Sequence, residues 1–378
     1  MREIQNLLDE LTSAGDEIGV QVAACIDGEL VVDLWSGVAD VRTSRPVDGD
    51  TVFASASALK GVAAAVVAVL VDRGVLDYDA PVGKYWPEFA RNGKENTTVG
   101  QVMSHSAGLP WVPDGIGVDD LFDVPALTRW LAEQPPAWEP GTASGYHGWT
   151  YGFLVGEIVR RASGRTIDEV LRDEVCAPLG VALSFGTART ERDAVIYDGG
   201  WAAWIRSLPA EFPLLRAVPV DLLAEMAERS MDSAQASIAS IGSMTARGGA
   251  LLYAALGNGG ELNGVRLMSA RTVAAATAVR TTDLDRVLLS PIAKSYGFFL
   301  GQPGGYEVGS RNTCFGMNGS GGSLAFADPD LRFSFAFTHN RLTAGSDDHA
   351  GQLVELVRAA LGVPDFSDDR AGQPAKCP

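Results

Sequence analysis

An unbroken apolar run over residues 62–71, VAAAVVAVLV, constrains the fold of this chain more than any other feature of the sequence. The run stops at Asp72 and Arg73, well short of the roughly 20 apolar residues that a membrane span needs. Because it is apolar on every side, it predicts a helix buried in a large core. With 378 residues, of which 46% are hydrophobic, the chain can form such a core in two or three domains or in one composite enzyme domain.

Ser57 and Lys60 stand three residues apart just before this run, so they are expected to share one helix face. The positive potential at a helix N-terminus favours a serine oxyanion, and apolar surroundings lower the pKa of a lysine. A neutral lysine can take the serine proton, which makes the pair a candidate activated nucleophile. The alternative is that Ser57 only caps the helix and that Lys60 extends its amine to solvent.

The composition excludes several classes of function. A net charge of −17 argues against nucleic acid and anionic membranes as partners, since both attract basic surfaces. The histidines form no HExxH motif, so no zinc hydrolase, and no metal or cofactor, is predicted. The cysteines show no CxxC spacing, which favours reduced thiols over disulfides. They are Cys25, Cys176, Cys314 and Cys377.

The first fifteen residues, MREIQNLLDELTSAG, lack the basic-then-apolar pattern of a secretion signal. They predict a short amphipathic helix instead, and the predicted location is the cytoplasm. The sequence leaves the oligomeric state open.

Strand patterns occur at both ends of the chain and helix patterns in the middle. Two β-rich runs flank Asp27-Gly28 and two more flank Asp328-Pro329-Asp330, which predicts two hairpins. The predicted fold class is therefore α/β (α+β), an antiparallel sheet built from both termini with an inserted, mainly helical region. The predicted domains are 1–56 with 288–378, and 57–287, with the active site in the cleft between them.

Three further segments carry candidate residues. Tyr146 lies where a loop that begins with Pro140-Gly141-Thr142 meets a helix. His105 lies in the short segment SHSAGLP, and a structural hydrogen-bonding role is favoured over that of a catalytic base. The aromatic loop 197–204 either shapes a pocket or fills core, and neither alternative is preferred.

Three motifs occur in order: Ser57-Ala58-Leu59-Lys60, Tyr146 after PGT, and the glycine-rich MNGSGGS at 317–323. This order resembles the serine β-lactamase and penicillin-binding protein superfamily. It is most similar to the class C β-lactamase-like carboxylesterases known as family VIII. Stretches such as GELVVDLWSGVAD and GGSLAFADPD extend the resemblance along nearly the whole chain.

The resemblance implies roles for particular residues. Ser57 would be the acylated nucleophile, and either Lys60 or Tyr146 would be the general base. The backbone N–H groups of Ser57 and Ser320 would form the oxyanion hole, whose fixed donors are usually a large catalytic term. The predicted substrate-binding residues are His147, Met317, Asn318 and Gly319.

The chain departs from the class C pattern at two motifs. Tyr146-His147-Gly148 replaces Tyr-x-Asn, and Met317-Asn318-Gly319 replaces Lys-Thr-Gly. The missing side chains hold the amide and carboxylate of a β-lactam, so weak or no β-lactamase activity is predicted. GSMTA (242–246) resembles the Gly-x-Ser-x-Gly elbow only superficially. It lacks the last glycine and is predicted to lie on a helix, so it is not a candidate nucleophile motif.

The predicted function is hydrolysis of small carboxylic esters by a serine carboxylesterase that forms an acyl-enzyme on Ser57. The first alternative is an acyltransferase that uses the same acyl-enzyme on a natural-product scaffold. The second is a β-lactamase or D,D-peptidase, and a non-catalytic binding module is the alternative from another class. The expected partner is a small-molecule ester or acyl substrate.

Overall fold

The computed structural model describes residues 1–186, 190–219, 221–222, 238–302, 308–343 and 348–364. The strands are β1 (Gly19–Ile26), β2 (Glu29–Asp40), β3 (Arg45–Pro46), β4 (Phe53–Ala54), β5 (Leu183–Phe185), β6 (Tyr197–Gly199), β7 (Gly242–Met244), β8 (Glu261–Leu262), β9 (Val265–Arg266), β10 (Phe299–Leu300), β11 (Phe315–Asn318), β12 (Leu324–Asp328), β13 (Phe333–His339) and β14 (Arg341–Thr343). The α-helices are α1 (Arg2–Ala14), α2 (Leu59–Asp72), α3 (Val99–Met103), α4 (Val118–Phe122), α5 (Val124–Glu133), α6 (Thr150–Ser163), α7 (Ile167–Leu171), α8 (Ala177–Leu179), α9 (Trp201–Arg206), α10 (Leu214–Ala217), α11 (Ala246–Gly257), α12 (Ala270–Thr277) and α13 (His349–Leu361).

The main sheet joins the two ends of the chain. It has seven strands in the order β10-β11-β12-β13-β1-β2-β3, and its pairings are antiparallel. At its centre β1 pairs with β13, from Val20 opposite His339 to Ile26 opposite Phe333. The prediction of an antiparallel sheet built from both termini is therefore confirmed.

Both predicted hairpins form. Asp27 and Gly28 have φ values of 52° and 83° between β1 and β2. A two-residue turn with both φ values positive matches the twist of the strands it joins, which explains why an Asp-Gly pair stands there. At the other end, the 3₁₀ turn Pro329–Leu331 connects β12 to β13.

Two helical layers cover the sheet, one on each face. Alternate residues of β1 point to opposite sides, because the period of a strand is two. Val20 and Val22 pack with residues of α1 and α13, whereas Ala23 and Cys25 join the larger core that contains α2 and α11. The sheet thus separates a small outer cluster from the main core.

The helix α2 lies inside the main core, as the apolar run predicts. Every residue from Leu59 to Leu70 is buried, including Lys60. A helix that is apolar all round is stable only when other elements surround it. The N-terminus of α2 is therefore held rigidly, so a reactive side chain there has a fixed position.

Several local predictions differ from the structure. The mainly helical middle region also contributes strands: β5 and β7 form a three-stranded sheet with β4, and β6 pairs in parallel with β14. GSMTA does not lie on a helix, because Gly242–Met244 form β7 and α11 begins only at Ala246. The patterns SYGFFLGQ (295–302) and GYEVGS (305–310) also predict strands. Only β10 forms there, because 308–310 are not in a named strand and 303–307 fall outside the described residues. The sequence also predicts a charged helix in the last part of the 181–230 segment, of which residues 223–230 fall outside the described residues.

Three predicted free thiols are present. Cys25, Cys176 and Cys314 are buried and make no disulfide, whereas Cys377 is outside the described residues. In the part of the chain that the structure describes, no helix is both long enough and apolar enough to cross a bilayer. The two-domain division stays a prediction.

Candidate active site

Ser57 lies in a one-turn 3₁₀ helix, Ala56–Ala58, that runs directly into α2. The preceding residue, Ala56, has a φ of 44°, which is unusual for a residue with a side chain. The turn is fixed at its start, because the Ser55 N–H donates to the Gly242 carbonyl at 2.9 Å and the Ser55 carbonyl accepts from Ala58 N–H. The Ser57 hydroxyl is therefore held in place while its side chain stays half-buried.

Lys60 is fully buried and its Nζ lies 2.8 Å from the Ser57 Oγ. The two side chains lie on one face of the 3₁₀–α junction, as their spacing predicts. Burial disfavours the charged amine and lowers the pKa of Lys60 to about 7. Near pH 7 part of this amine is therefore neutral and can accept the proton of the serine hydroxyl that it contacts.

Tyr146 contacts the same serine from a distant loop. Its phenol oxygen lies 2.8 Å from the Ser57 Oγ, and the Lys60 Nζ lies 5.0 Å from the centre of its ring. Burial raises the pKa of Tyr146 far above its usual value, so the phenol keeps its proton. The structure thus brings the three predicted side chains together around one oxygen atom.

The Tyr146 loop is held by an ion pair that the sequence analysis missed. The Asp285 Oδ1 accepts the backbone N–H of Tyr146 at 3.0 Å, and the Asp285 Oδ2 lies 2.7 Å from the Lys294 Nζ. Both charged side chains are completely buried. One signal was available: Lys294 is one of only five lysines and stands in the mostly apolar segment PIAKSYGFF.

The two histidines near Tyr146 support the loop. The His105 Nδ1 accepts the His147 backbone N–H at 3.1 Å, and the His105 ring stacks on Tyr151. The His147 Nε2 accepts the Leu109 N–H at 3.0 Å, and its Nδ1 lies 2.6 Å from the Gly145 carbonyl oxygen. Burial lowers the pKa of His147 to about 4 and that of His105 well below its usual value, so both rings are neutral.

These contacts bear on the predicted roles of both rings. The bond that His105 accepts is consistent with its expected structural role. His147 is completely buried and both of its nitrogens are engaged by the backbone. We therefore do not retain it as a substrate contact.

The end of β11 lies against the serine turn. A Cβ atom on Gly319 would lie only 2.3 Å from the Ser55 carbonyl oxygen and 3.3 Å from the Ala58 nitrogen. Only glycine permits this approach, which brings the exposed Ser320 to the residues around Ser57. The oxyanion-hole role of the Ser57 and Ser320 N–H groups stays a prediction.

An apolar cluster surrounds Tyr146 on the side of β11. Met317 is buried in it, and Asn318 next to it is half-buried. The cluster consists of Tyr146, Ala217, Val287, Ile292, Phe299 and Met317, with Trp111, Leu214, Val218 and Leu288 packed against it. Cations lie against its rings: the Lys294 Nζ is 6.0 Å from the centre of Phe299, and the Arg216 guanidinium is 4.8 Å from that of Trp111.

The aromatic loop 197–204 packs against β14, whose Thr343 N–H donates to the carbonyl of Gly321 in the MNGSGGS segment at 3.0 Å. The Tyr197 hydroxyl contacts the Asp40 carboxylate at 3.1 Å, and Trp201 fills a small cluster with Ala202 and Ile205. Of the two alternatives, the structure therefore favours packing over a pocket wall. Among the described residues, no group of three His, Cys, Asp or Glu side chains is placed to bind a metal ion.

The sequence profile of the Beta-lactamase family matches residues 4–359, which is nearly the whole chain. The chain belongs to the beta-lactamase family. It is 36% identical over 361 residues to the Esterase/beta-lactamase LipL of Mycobacterium tuberculosis (strain ATCC 25618 / H37Rv), a match that covers 90% of this chain and 82% of LipL.

Solved structures agree with this family assignment. A family VIII carboxylesterase matches with 33% identity and a TM-score of 0.82, over 96% of this chain and 97% of that one. A penicillin-binding protein homolog from Caulobacter crescentus matches with 35% identity and a TM-score of 0.79, over 95% of this chain and 96% of the other. These likenesses confirm the predicted β-lactamase/transpeptidase-like fold, the resemblance to family VIII and the assignment as a serine hydrolase.

Proposed function

We propose that this beta-lactamase family member hydrolyses small carboxylic esters through an acyl-enzyme on Ser57. The observation that carries the proposal is the placement of the Ser57 Oγ 2.8 Å from both the Lys60 Nζ and the Tyr146 hydroxyl. A serine alone is a weak nucleophile, and an adjacent base with an accessible lone pair activates it. The relative LipL is named an esterase/beta-lactamase, and the first part of that name supports the same class of reaction.

Lys60 is the general base in this proposal, and Tyr146 is the general acid. A base needs a pKa near the working pH, and burial gives Lys60 a pKa of about 7. Burial has the opposite consequence for Tyr146, because it raises the pKa of the phenol and keeps the proton on it. The hydrogen bonds therefore run from the Tyr146 O–H to the Ser57 Oγ, and from the Ser57 O–H to the Lys60 Nζ.

Acylation follows from this direction of the bonds. The Ser57 oxygen attacks the ester carbonyl carbon while its proton passes to Lys60. The N–H groups of Ser57 and Ser320 stabilise the resulting oxyanion. The carbon–oxygen bond to the alcohol then breaks, the leaving oxygen takes the Tyr146 proton, and the Lys60 ammonium returns a proton to the phenolate.

Deacylation repeats these steps with water. A water molecule attacks the acyl carbon and loses a proton to Lys60. The bond to Ser57 breaks, the carboxylic acid leaves, and the proton returns to the serine oxygen. Each group regains its starting protonation state, so no cofactor enters the cycle.

The apolar cluster around Tyr146 indicates an uncharged substrate. Met317 stands where class C β-lactamases carry the lysine that holds the carboxylate of the antibiotic, and it is buried among apolar side chains. The thioether of Met317 carries no charge, so an anionic group beside it would lose hydration without the ion pair that a lysine at this position provides. Esters with an uncharged acyl and alcohol group are therefore the proposed substrates, and β-lactams are expected to react weakly.

Mass spectrometry of the intact protein tests the proposal. We expect p-nitrophenyl butanoate to add one butanoyl group to the wild-type protein, and no such adduct on Ser57→Ala. Ser243→Ala is the matched control, because Ser243 lies in the GSMTA segment and is expected to keep full activity. An adduct that persists on Ser57→Ala would place the nucleophile elsewhere, and rapid nitrocefin turnover would contradict the role given to Met317.

Transfer of the acyl group to an alcohol is a second candidate. The half-buried apolar side chains at the edge of the cluster favour it, since they can contact the alkyl part of an alcohol and disfavour ordered water. Reaction with p-nitrophenyl butanoate in the presence of 1-butanol distinguishes the two activities. Butanoic acid as the main product supports hydrolysis, and butyl butanoate supports transfer. Location in the cytoplasm stays a prediction.

A further inference from the structure

The Asp285–Lys294 pair is the most deeply buried ion pair that contacts the Tyr146 loop. Neither side chain is exposed to solvent, and the charged atoms lie 2.7 Å apart. Burial works to raise the pKa of Asp285, but Lys294 and the hydrogen bonds it accepts hold that pKa below its usual range. The carboxyl group is therefore ionised inside an otherwise apolar part of the protein.

Such a pair contributes little to stability on its own. The cost of removing two charges from water usually equals or exceeds the attraction between them, and apolar residues of similar size often replace buried pairs without loss. A buried pair is thus better explained by the position in which it holds neighbouring residues. The contacts of the Asp285–Lys294 pair show which residues these are.

The contacts of both charges converge on residues 144–146. The Lys294 Nζ donates to the Ser144 Oγ at 2.8 Å, two residues before Tyr146. The Asp285 Oδ1 accepts the Tyr146 N–H at 3.0 Å. In addition, the Arg286 N–H donates to the Ser144 carbonyl oxygen at 2.9 Å.

The pair is itself fixed by its own loop. The Asp285 Oδ1 also accepts the N–H groups of Val287 and Leu288, each at 2.8 Å. The Lys294 backbone bonds to Arg280 and Thr281 on the neighbouring segment. The Asp285–Lys294 pair is therefore held rigidly, and the loop that it binds carries the phenol of Tyr146.

We propose that Asp285 and Lys294 are positioning residues that hold the Tyr146 hydroxyl against Ser57 and keep it in its proton-donating form. Neither residue contacts the Ser57 oxygen, so both act through Tyr146. A phenol held 2.8 Å from Ser57 can reach the leaving oxygen of the ester, and a shift of about 1 Å in such a group costs up to roughly 100-fold in rate.

Charge adds to the effect of position. The negative Asp285 disfavours a second negative charge on the nearby phenolate, and this raises the pKa of Tyr146 beyond the effect of burial. Lys294 keeps that carboxylate ionised. Burial lowers the pKa of Lys294, and the carboxylates of Asp285 and Asp283 oppose that effect. The other groups that face this region are Lys60 and the neutral rings of His105 and His147.

The test rests on the proposed role of Tyr146 as general acid. Ethyl butanoate and p-nitrophenyl butanoate form the same acyl-enzyme and differ only in the alcohol that leaves. Ethoxide needs a proton to leave, whereas p-nitrophenolate does not. Since kcat/KM reports the steps up to acylation, its ratio for the two esters measures the proton donation by Tyr146.

The charge-balanced variant Asp285→Asn/Lys294→Met removes the pair without leaving a lone buried charge. We expect it to lose roughly tenfold more kcat/KM on ethyl butanoate than on p-nitrophenyl butanoate. Ser144→Ala, a milder change that removes only one partner of Lys294, is expected to shift the ratio in the same direction by roughly threefold. Tyr146→Phe should give the largest shift, roughly 100-fold.

The matched control is Asp328→Asn/Arg358→Met, which removes a second buried pair with a separation of 3.0 Å. Arg311, which also binds Asp328, is half-buried and keeps Asp330 as a partner. Arg358 packs among Phe326 and Phe333 in the outer cluster of the sheet, on the face away from α2. We expect this variant to lose stability and to keep the wild-type ratio between the two esters.

Two results would overturn the inference. The first is an equal loss on both esters in the Asp285/Lys294 and Ser144 variants, since a purely structural role lowers only the folded fraction. The second is an unchanged ratio in Tyr146→Phe, which would remove the acid role on which the inference rests. Because butanoylation of Ser57 is measured separately, failure of the inference is distinguishable from failure of the proposed esterase function.

Discussion

At the scale of single residues, the buried lysines differ in whether their contacts hold the structure or allow a role in the reaction. Of the four lysines within the described residues, Lys60, Lys94 and Lys294 have no exposed surface. Lys94 donates to the carbonyl groups of Ala132 and Gln134 at the end of α5, and Lys294 pairs with a carboxylate. Lys60 is held by a hydroxyl group and an aromatic ring, and burial alone lowers its pKa. Of the three, it is the one whose surroundings leave the amine free to accept a proton.

The pKa of Lys60 predicts how activity depends on pH. The base must be neutral, so kcat/KM for p-nitrophenyl butanoate should rise with pH and reach half of its plateau near the pKa of about 7. Because the pKa of Tyr146 is raised, no fall is expected up to about pH 9. The measurement is a pH profile from 5.5 to 9.5 in buffers of constant ionic strength. A profile that falls between pH 6 and 8 would contradict Lys60 as the base.

The sequence predicts the residues of this site unevenly. Ser57 and Lys60 are close in sequence, so helix geometry alone brings them together, and Tyr146 was found through its motif. Asp285 and Lys294 have no motif, and they lie 139 and 150 residues from their partners in the Tyr146 loop. A contact over that distance depends on how whole segments pack, which local spacing does not encode.

At the scale of elements, the position of α2 depends on a close contact at Gly61. A Cβ atom on this residue would lie 2.0 Å from the Tyr253 hydroxyl oxygen and 3.5 Å from the Met317 Cβ. Tyr253 belongs to α11, so the two helices approach each other here without an intervening side chain. The contact lies one residue after Lys60 and determines how closely α2 packs against α11.

Gly61→Ala tests this contact. In an exposed helix the change would gain up to about 1 kcal/mol, but here we expect a loss of about 1–3 kcal/mol in the free energy of unfolding, because the methyl group collides with a buried ring. Adding Tyr253→Phe should recover much of that loss by removing the nearest atom. The Tyr253 hydroxyl has no hydrogen-bond partner within the described residues, so Tyr253→Phe alone should cost little. Additive losses in a urea-unfolding cycle would show that the two residues are not coupled.

The sequence predicts the long elements and misses the short ones. The apolar run of α2 and the paired runs of β1 and β2 carry clear periodicity, and the structure contains them. The strands β5, β6 and β7 have three residues each, which is too few to show alternation. Their position is set by partners such as β4 and β14, so a pattern-based analysis assigned that region to helices and loops.

At the scale of the whole molecule, a buried carboxylate ties three distant segments together. Glu17 lies between α1 and β1, and its Oε1 is 2.9 Å from the Nδ1 of His339 and 2.8 Å from the Nδ1 of His349. These rings stand at the end of β13 and the start of α13. Burial works to raise the pKa of Glu17, but the two imidazoles hold it below its usual value.

This arrangement predicts a dependence of stability on pH. A carboxyl group whose pKa is lower in the folded state stabilises the fold above its unfolded pKa, and that contribution is lost as the pH falls through the folded value. Glu17→Gln should therefore lower the free energy of unfolding at pH 7.5 by about 1–3 kcal/mol, with a smaller difference at pH 4. Glu10→Gln, on the exposed face of α1, is the matched control and should have no effect. Urea unfolding at both pH values measures this, and a difference that grows towards pH 4 would contradict it.

The long sequence separation between β1 and β13 also delays their pairing while the chain is being synthesised. The two strands are separated by about 300 residues, so a ribosome that adds about 5–20 residues per second needs roughly 15–60 s to deliver the second after the first. During that interval β1 has an open edge, and the core that buries α2 lacks the strands that close it. The nascent chain therefore carries its reactive serine and lysine long before their pocket exists, and chaperones that shield open strand edges are expected to influence its yield more than its final activity.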